Sequence, residues 1–308
     1  MVTKMYKFFI VLSLLLITEI ALSATCNKNS NNEITSTAAC STDTLQRIVG
    51  IYEIGLCETE PSSPTTTSAF SNTNCSVIFQ SNSPFIPTET TISSTGSSRL
   101  TGKKYRPANG RYRSMYFVMS TDGAIKASVT FSSARSTDGD RTANVYSARE
   151  TGTKCWTKHG VNYNMRTGNW AGSNRKTPAN IVCGSSVSGL GFSYVKQNSL
   201  DAGTAKFSQT VTTSAGSYKI FLLDGFSKLA NSTVYDGMGD VDKVLVYAPQ
   251  DISITPSTTG MKLSFKLLDA TNVDQLSNAG TNYLYDLAGG GSIKILVDTT
   301  EASWRNNF

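Results

Sequence analysis

Apolar and polar residues alternate most clearly between Gln46 and Leu56. There Ile48, Tyr52, Ile54 and Leu56 fall on one side of an extended chain, and Arg47, Glu53 and Gly55 on the other. A period of two over a run of this length predicts a half-buried β-strand. Gly50 interrupts the row and marks a candidate bulge. Val49 and Ile51 put apolar residues on the otherwise polar side, which predicts that a second sheet, domain or subunit covers it; these two residues are the candidate assembly strand. Cys57 closes the strand, Pro61 and Pro64 in a Ser/Thr-rich run exclude a helix, and Cys75 opens the next apolar segment. The simplest reading is two strands joined by a loop and clipped at its base by a Cys57–Cys75 disulfide.

Further strands are predicted at 89–92, 114–119, 124–131, 192–195, 205–211, 218–223, 243–247, 252–254, 261–268 and 292–297. Short strands rich in Thr and β-branched residues, punctuated by Ser, Gly and Asn, predict an all-β protein. Its expected form is one or two β-sandwich modules, immunoglobulin-like or jelly-roll, with long loops. Ala108-Asn109-Gly110-Arg111-Tyr112 and Ser214-Ala215-Gly216-Ser217-Tyr218 are two similar turns, each feeding an apolar strand. They read as a weak internal repeat with one module in each half, and equally as two unrelated turns built from common turn residues. The division that follows is a leader (1–23), an N-terminal arm (24–43), a first β-module (44–135), an irregular disulfide-stapled excursion (136–190) and a second β-module (191–308).

The leader has a cationic start (Lys4, Lys7), an apolar run over 8–16 and small residues at Ala21-Leu22-Ser23-Ala24. That order predicts a secretory signal peptide cut after Ser23, hence a secreted or cell-surface protein with no transmembrane segment in the mature chain. Cys26, Cys40, Cys57, Cys75, Cys155 and Cys183 all follow the cut, and an even number in an exported chain predicts three disulfides. Six cysteines allow about 15 pairings. Pairing sequence neighbours would close three short loops. No Cys-x-x-Cys spacing points to zinc.

Charged residues make up 16% of the chain, against the usual quarter or so. Removal of Lys4, Lys7 and Glu19 with the leader lowers the formal charge of +6 by one. A surplus this small implies no specific nucleic acid. Arg99, Lys103, Lys104, Arg106, Arg111 and Arg113 nevertheless form a run without an acid, a candidate site for surface polysaccharide or another polyanion, or else a solvated loop. Trp156, Tyr163 and Trp170 are candidate glycan or assembly contacts, or a satellite core under the excursion. Asp236, Asp240 and Asp242 lie on a Gly-rich loop and are candidate calcium ligands, or ordinary turn residues; no other cofactor is expected. The single histidine, His159, stands in no nucleophile motif, and no catalytic residue is assigned. Glu53, Asp224 and Asp269 are acids that a glycosidase would have to draw together.

The Gly-x-Tyr turn feeding a central strand resembles the turn in immunoglobulin-like modules of bacterial pilins and adhesins. Likewise, the Leu56-Cys57 to Cys75-x-x-x-Phe79 arrangement is similar to that of secreted β-rich proteins of aquatic bacteria. The resemblance implies a pilin-type β-sandwich surface subunit. Low charge, Ser/Thr richness, strands apolar on both faces and the lack of a catalytic group motivate the expected function: a structural subunit of a filament, pilus-like fibre or surface layer, self-assembling into a homopolymer by strand sharing or edge pairing. The alternatives are a monomeric extracellular adhesin or carbohydrate-binding module and, third, a secreted glycan hydrolase.

Overall fold

The computed structural model describes residues 25–93, 100–137, 151–158, 181–196, 200, 206–213, 216–231, 241–266, 271–278, 281–289 and 294–298. Among them the regular structure is entirely β. The strands are β1 (Cys40–Thr42), β2 (Gln46–Cys57), β3 (Cys75–Gln80), β4 (Thr88–Ser93), β5 (Lys103–Lys104), β6 (Gly110–Lys126), β7 (Ser128–Thr137), β8 (Thr151–Thr157) and β9 (Ile181–Gly184). After them come β10 (Ser193–Lys196), β11 (Ser208–Thr213), β12 (Gly216–Leu223), β13 (Lys243–Ile254), β14 (Lys262–Lys266), β15 (Thr271–Asn278), β16 (Thr281–Gly289) and β17 (Lys294–Asp298).

A nine-stranded sheet runs β11-β12-β13-β6-β2-β3-β5, with β4 also pairing β2 and β10 also pairing β6. A six-stranded sheet runs β1-β15-β16-β7-β8-β9, and β14 pairs β17. The spine is β6, which the sequence splits into two strands around Asp122-Gly123. It runs unbroken because β10 takes over as its neighbour where β13 leaves, at Ser120. The break falls instead at Ala127, where the chain passes into β7 of the other sheet. Buried Thr157 secures that junction: its amide donates to the Ala127 carbonyl, the Ala127 amide donates to its Oγ1, and Oγ1 donates to the Gly191 carbonyl.

Both sheets mix the two halves of the chain, with β2, β3 and β6 beside β12 and β13, and β1 beside β15. The expected modules at 44–135 and 191–308 therefore do not form separate sheets. The two similar turns lead into β6 and β12, which flank β13 in one sheet. At the first turn, the Tyr112 hydroxyl donates to the Ala108 carbonyl at 2.9 Å and ties the strand entry down.

All three neighbour pairings form: Cys26–Cys40, Cys57–Cys75 and Cys155–Cys183. The last two join directly opposed strand residues. The N-terminal arm is held by its own chain. Ile34, 1% exposed, donates its amide to the Thr130 carbonyl and accepts the Ser132 amide. Arg135, also 1% exposed, donates to the Ser36 carbonyl and lies over the Phe131 ring. No helix among the described residues is long and apolar enough to cross a membrane.

Candidate functional site

The phase of β2 differs from the simple alternation. Its register with β6 shifts on both sides of Ile51, the first shift falling at Gly50 as the interrupted pattern predicts. The second shift puts two β2 residues, Tyr52 and Glu53, where the partner supplies one, which is a bulge. Val49, Ile51, Ile54 and Leu56 consequently all join one core with Phe79, Met115 and Phe117. Val49 and Ile51 do not mark a polar face covered by another subunit: they lie in the chain's own core. A one-residue slip exchanges the two faces of everything beyond it, which is why strict alternation misplaces them.

The opposite face is also covered, again by the chain itself. The loop 58–74 folds over it from the Cys57–Cys75 clip, with Pro61 and Pro64 buried. Phe70 packs edge-on against Tyr116 with ring centroids 5.0 Å apart, and the Tyr247 hydroxyl donates to the Ser62 carbonyl. Glu60 pairs with Lys219 of β12. Two backbone bonds join the loop to the turn after β12, from the Phe70 amide to the Ser227 carbonyl and from the Leu229 amide to the Thr65 carbonyl.

Between this loop and the sheet lies a half-open cleft of about 230 Å³. The bulge sets its floor, because consecutive Tyr52 and Glu53 both face it. Glu53 collects three donors: Tyr116 Oη at 2.6 Å and Asn72 Nδ2 at 3.1 Å on Oε1, and Gln80 Nε2 at 3.3 Å on Oε2. Gly55 makes room for this, since a Cβ there would stand 2.2 Å from the Tyr116 ring. Burial, and then the bond to Glu53, raises the Tyr116 pKa far above the usual phenol value. Lys243 lines the cleft opposite, its ammonium 5.2 Å from the Tyr52 ring centre and without an ion-pair partner among the described residues.

Two tight turns each give one residue to the cleft lining and carry an exposed phenylalanine next to it in the chain. Pro84 and Ser227 line the cleft, while neighbouring Phe85 and Phe226 are 84% and 62% exposed. Neither turn is slack. Asp224 Oδ1 accepts the Phe226 and Lys228 amides, and Ser227 is held in the left-handed region at φ 62°. Ser83 accepts the Phe85 amide on Oγ and the Ile86 amide on its carbonyl.

The described members of the basic run are engaged in different ways. Arg111 makes a bidentate pair with Asp251, whose carboxyl it holds below the usual range. Arg106 donates to the Pro107 and Thr255 carbonyls and to Asn109. Lys103 and Lys104 form the outermost strand, Arg113 is exposed, and Arg99 lies outside the described residues. Trp156 is 5% exposed and donates to the Ser188 carbonyl at 2.7 Å, which places it in the interior rather than on a contact surface. Tyr163, Trp170, His159, Asp236, Asp240 and Asp269 lie outside the described residues. The Asp242 amide donates to the Leu223 carbonyl and its carbonyl accepts from the Thr121 hydroxyl, both bonds made by its main chain.

The sequence names Glu53 and Asp224 only as scattered acids and does not single out Tyr52, Asn72, Gln80, Lys243, Phe85 or Phe226. Two local signals point toward the turns beside the cleft: an apolar pair between prolines in Pro84-Phe85-Ile86-Pro87, and an aromatic within the turn Asp224-Gly225-Phe226. No family model, curated protein or solved structure matches this chain.

Proposed function

We propose that this chain is an extracellular glycan-binding protein of the adhesin or carbohydrate-binding-module class, acting through the cleft between β2, β13 and the loop 58–74. The observation that carries the proposal is the combination of a hydrogen-bonding floor with exposed phenylalanines on two fixed turns whose neighbouring residues, Pro84 and Ser227, line the cleft. Sugars present apolar ring faces and hydroxylated edges, so aromatic surfaces and oriented polar groups recognise them together. At about 230 Å³, the cleft falls below the roughly 300–1,000 Å³ of drug-sized sites. It suits one sugar ring.

Binding is favoured over hydrolysis because the Glu53 oxygens are engaged by three donors and Asp224 Oδ1 by two backbone amides. The three disulfides and the predicted leader fit an oxidising compartment. The test is a glycan array probed with the mature protein and with Phe226→Ala. Wild-type signals lost in the variant at unchanged thermal stability support the proposal, and a blank array refutes it.

A second reading, the self-assembling subunit, draws on β11. Among the described residues this six-residue strand ends the large sheet, and it contains neither a charged residue nor proline, the usual protections of an open edge. Size-exclusion chromatography tests it, with Thr210→Lys expected to dissociate any polymer; a wild-type protein that stays monomeric refutes it.

A further inference from the structure

Resting on the glycan-binding reading, we infer that the cleft selects neutral, hydroxyl-rich sugar rings and rejects their carboxylated counterparts. A net positive chain with a basic run invites the opposite expectation, but the groups that meet the ligand decide selectivity, and their orientation here is fixed. Glu53 is the reason. Its carboxylate draws the Asn72 and Gln80 amide nitrogens toward itself, and an amide that gives its N–H to an acid turns its oxygen elsewhere. Among the described residues Asn72 Oδ1 and Gln80 Oε1 therefore remain as acceptors without a donor beside the Glu53 carboxyl group, all three residues in the cleft lining.

A hydroxyl group satisfies such a floor, since it donates to an amide oxygen while accepting from another group. The Lys243 ammonium, with no ion pair among the described residues, supplies donors on the opposite side. The lining holds one acid and one base, so a neutral ligand leaves it balanced. A uronic acid carboxylate only accepts. At the Glu53 side of this cleft it meets two amide groups held by an acid and a second carboxylate, where lone pairs set against lone pairs without intervening protons repel, and only Lys243 offers it protons. Lys103 is paired with Gln80 one strand further out but does not line the cleft.

The experiment compares matched probes: oligosaccharides of glucose, mannose and galactose against those of glucuronic, mannuronic and galacturonic acid, titrated into the mature protein. The expected result is binding of at least one neutral series about tenfold or more tighter than its acid counterpart. Glu53→Gln, which removes the fixed negative charge, should narrow that gap. Gln80→Ala, which removes one acceptor, should do the same and serves if the first variant does not fold. Acid series that bind as tightly as neutral ones overturn the inference and leave the glycan reading standing. A gap that persists undiminished in the folded variants overturns it too, because the acceptor floor is then not its source. If no series of either kind binds, the glycan reading fails and takes the inference with it.

Discussion

The Tyr116 ring lies across Gly55 while its hydroxyl donates a 2.6 Å hydrogen bond to Glu53, two residues earlier on the neighbouring strand. One aromatic side chain thus fills the space left by a glycine and orients the acid at the floor of the cleft. Gly55→Ala puts a methyl group 2.2 Å from that ring and should cost about 1–3 kcal/mol by overpacking. Thermal unfolding measures the loss. Wild-type stability in the variant would show that the ring is not held where it lies.

The Cys57–Cys75 clip closes a loop of sequence separation 18, so removing it by Cys57→Ser/Cys75→Ser should lower stability by about 3 kcal/mol. The same loop carries Phe70 and Asn72 to the cleft. Glycan binding should therefore fall at temperatures where the variant is still folded, which circular dichroism and titration together would show. Full binding by the folded double variant would remove the loop from the site.

Alkaline pH should destabilise the protein through its buried phenols. Burial pushes Tyr116 and Tyr247 up, the first reinforced by its bond to Glu53 and the second by the charge of Glu60. An unfolded tyrosine ionises near pH 10 or so. Above that pH the unfolded state loses protons that the folded state keeps, so stability falls as pH rises and is unaffected well below it. Tyr116→Phe should flatten the decline, as read from denaturant midpoints across the alkaline range. An equal slope in variant and wild type would contradict this.

Arg47 is the least satisfied group in the large sheet. Among the described residues its Nε and Nη1 are buried without a hydrogen-bond partner, and burial pushes its pKa down to about 10. Arg47→Met keeps the apolar stem, removes the uncompensated charge and should leave the protein between neutral and about 3 kcal/mol more stable. A marked loss in chemical denaturation would mean that the guanidinium has a partner in solution.

The all-β class, the presence of three disulfides and the Cys57–Cys75 clip were legible in the sequence because each depends on local composition and spacing, whereas the full connectivity was left open among about 15 pairings. The phase of β2 was not. It turns on a bulge at Tyr52 and Glu53, which is set by pairing with β6 about sixty residues away in the chain. The same displacement hid the cleft, since Tyr52 and Glu53 fall on opposite faces of a regular strand. Trp156 suggested a contact surface by its type alone; its burial follows from the disulfide-linked pairing of β8 with β9. The polar loop 58–74 gave little hint of a lid, because two prolines and one phenylalanine make almost all of its apolar contact.

Amide chemical-shift mapping of the isotope-labelled mature protein during titration with a neutral oligosaccharide tests the central claim most directly. Glycan binding at the cleft predicts shifts concentrated at Tyr52, Asn72, Gln80 and Lys243 and at the turns carrying Phe85 and Phe226, with Arg111, Arg113 and Lys104 unmoved. Shifts confined to those three cations, or none at saturating sugar, would contradict it.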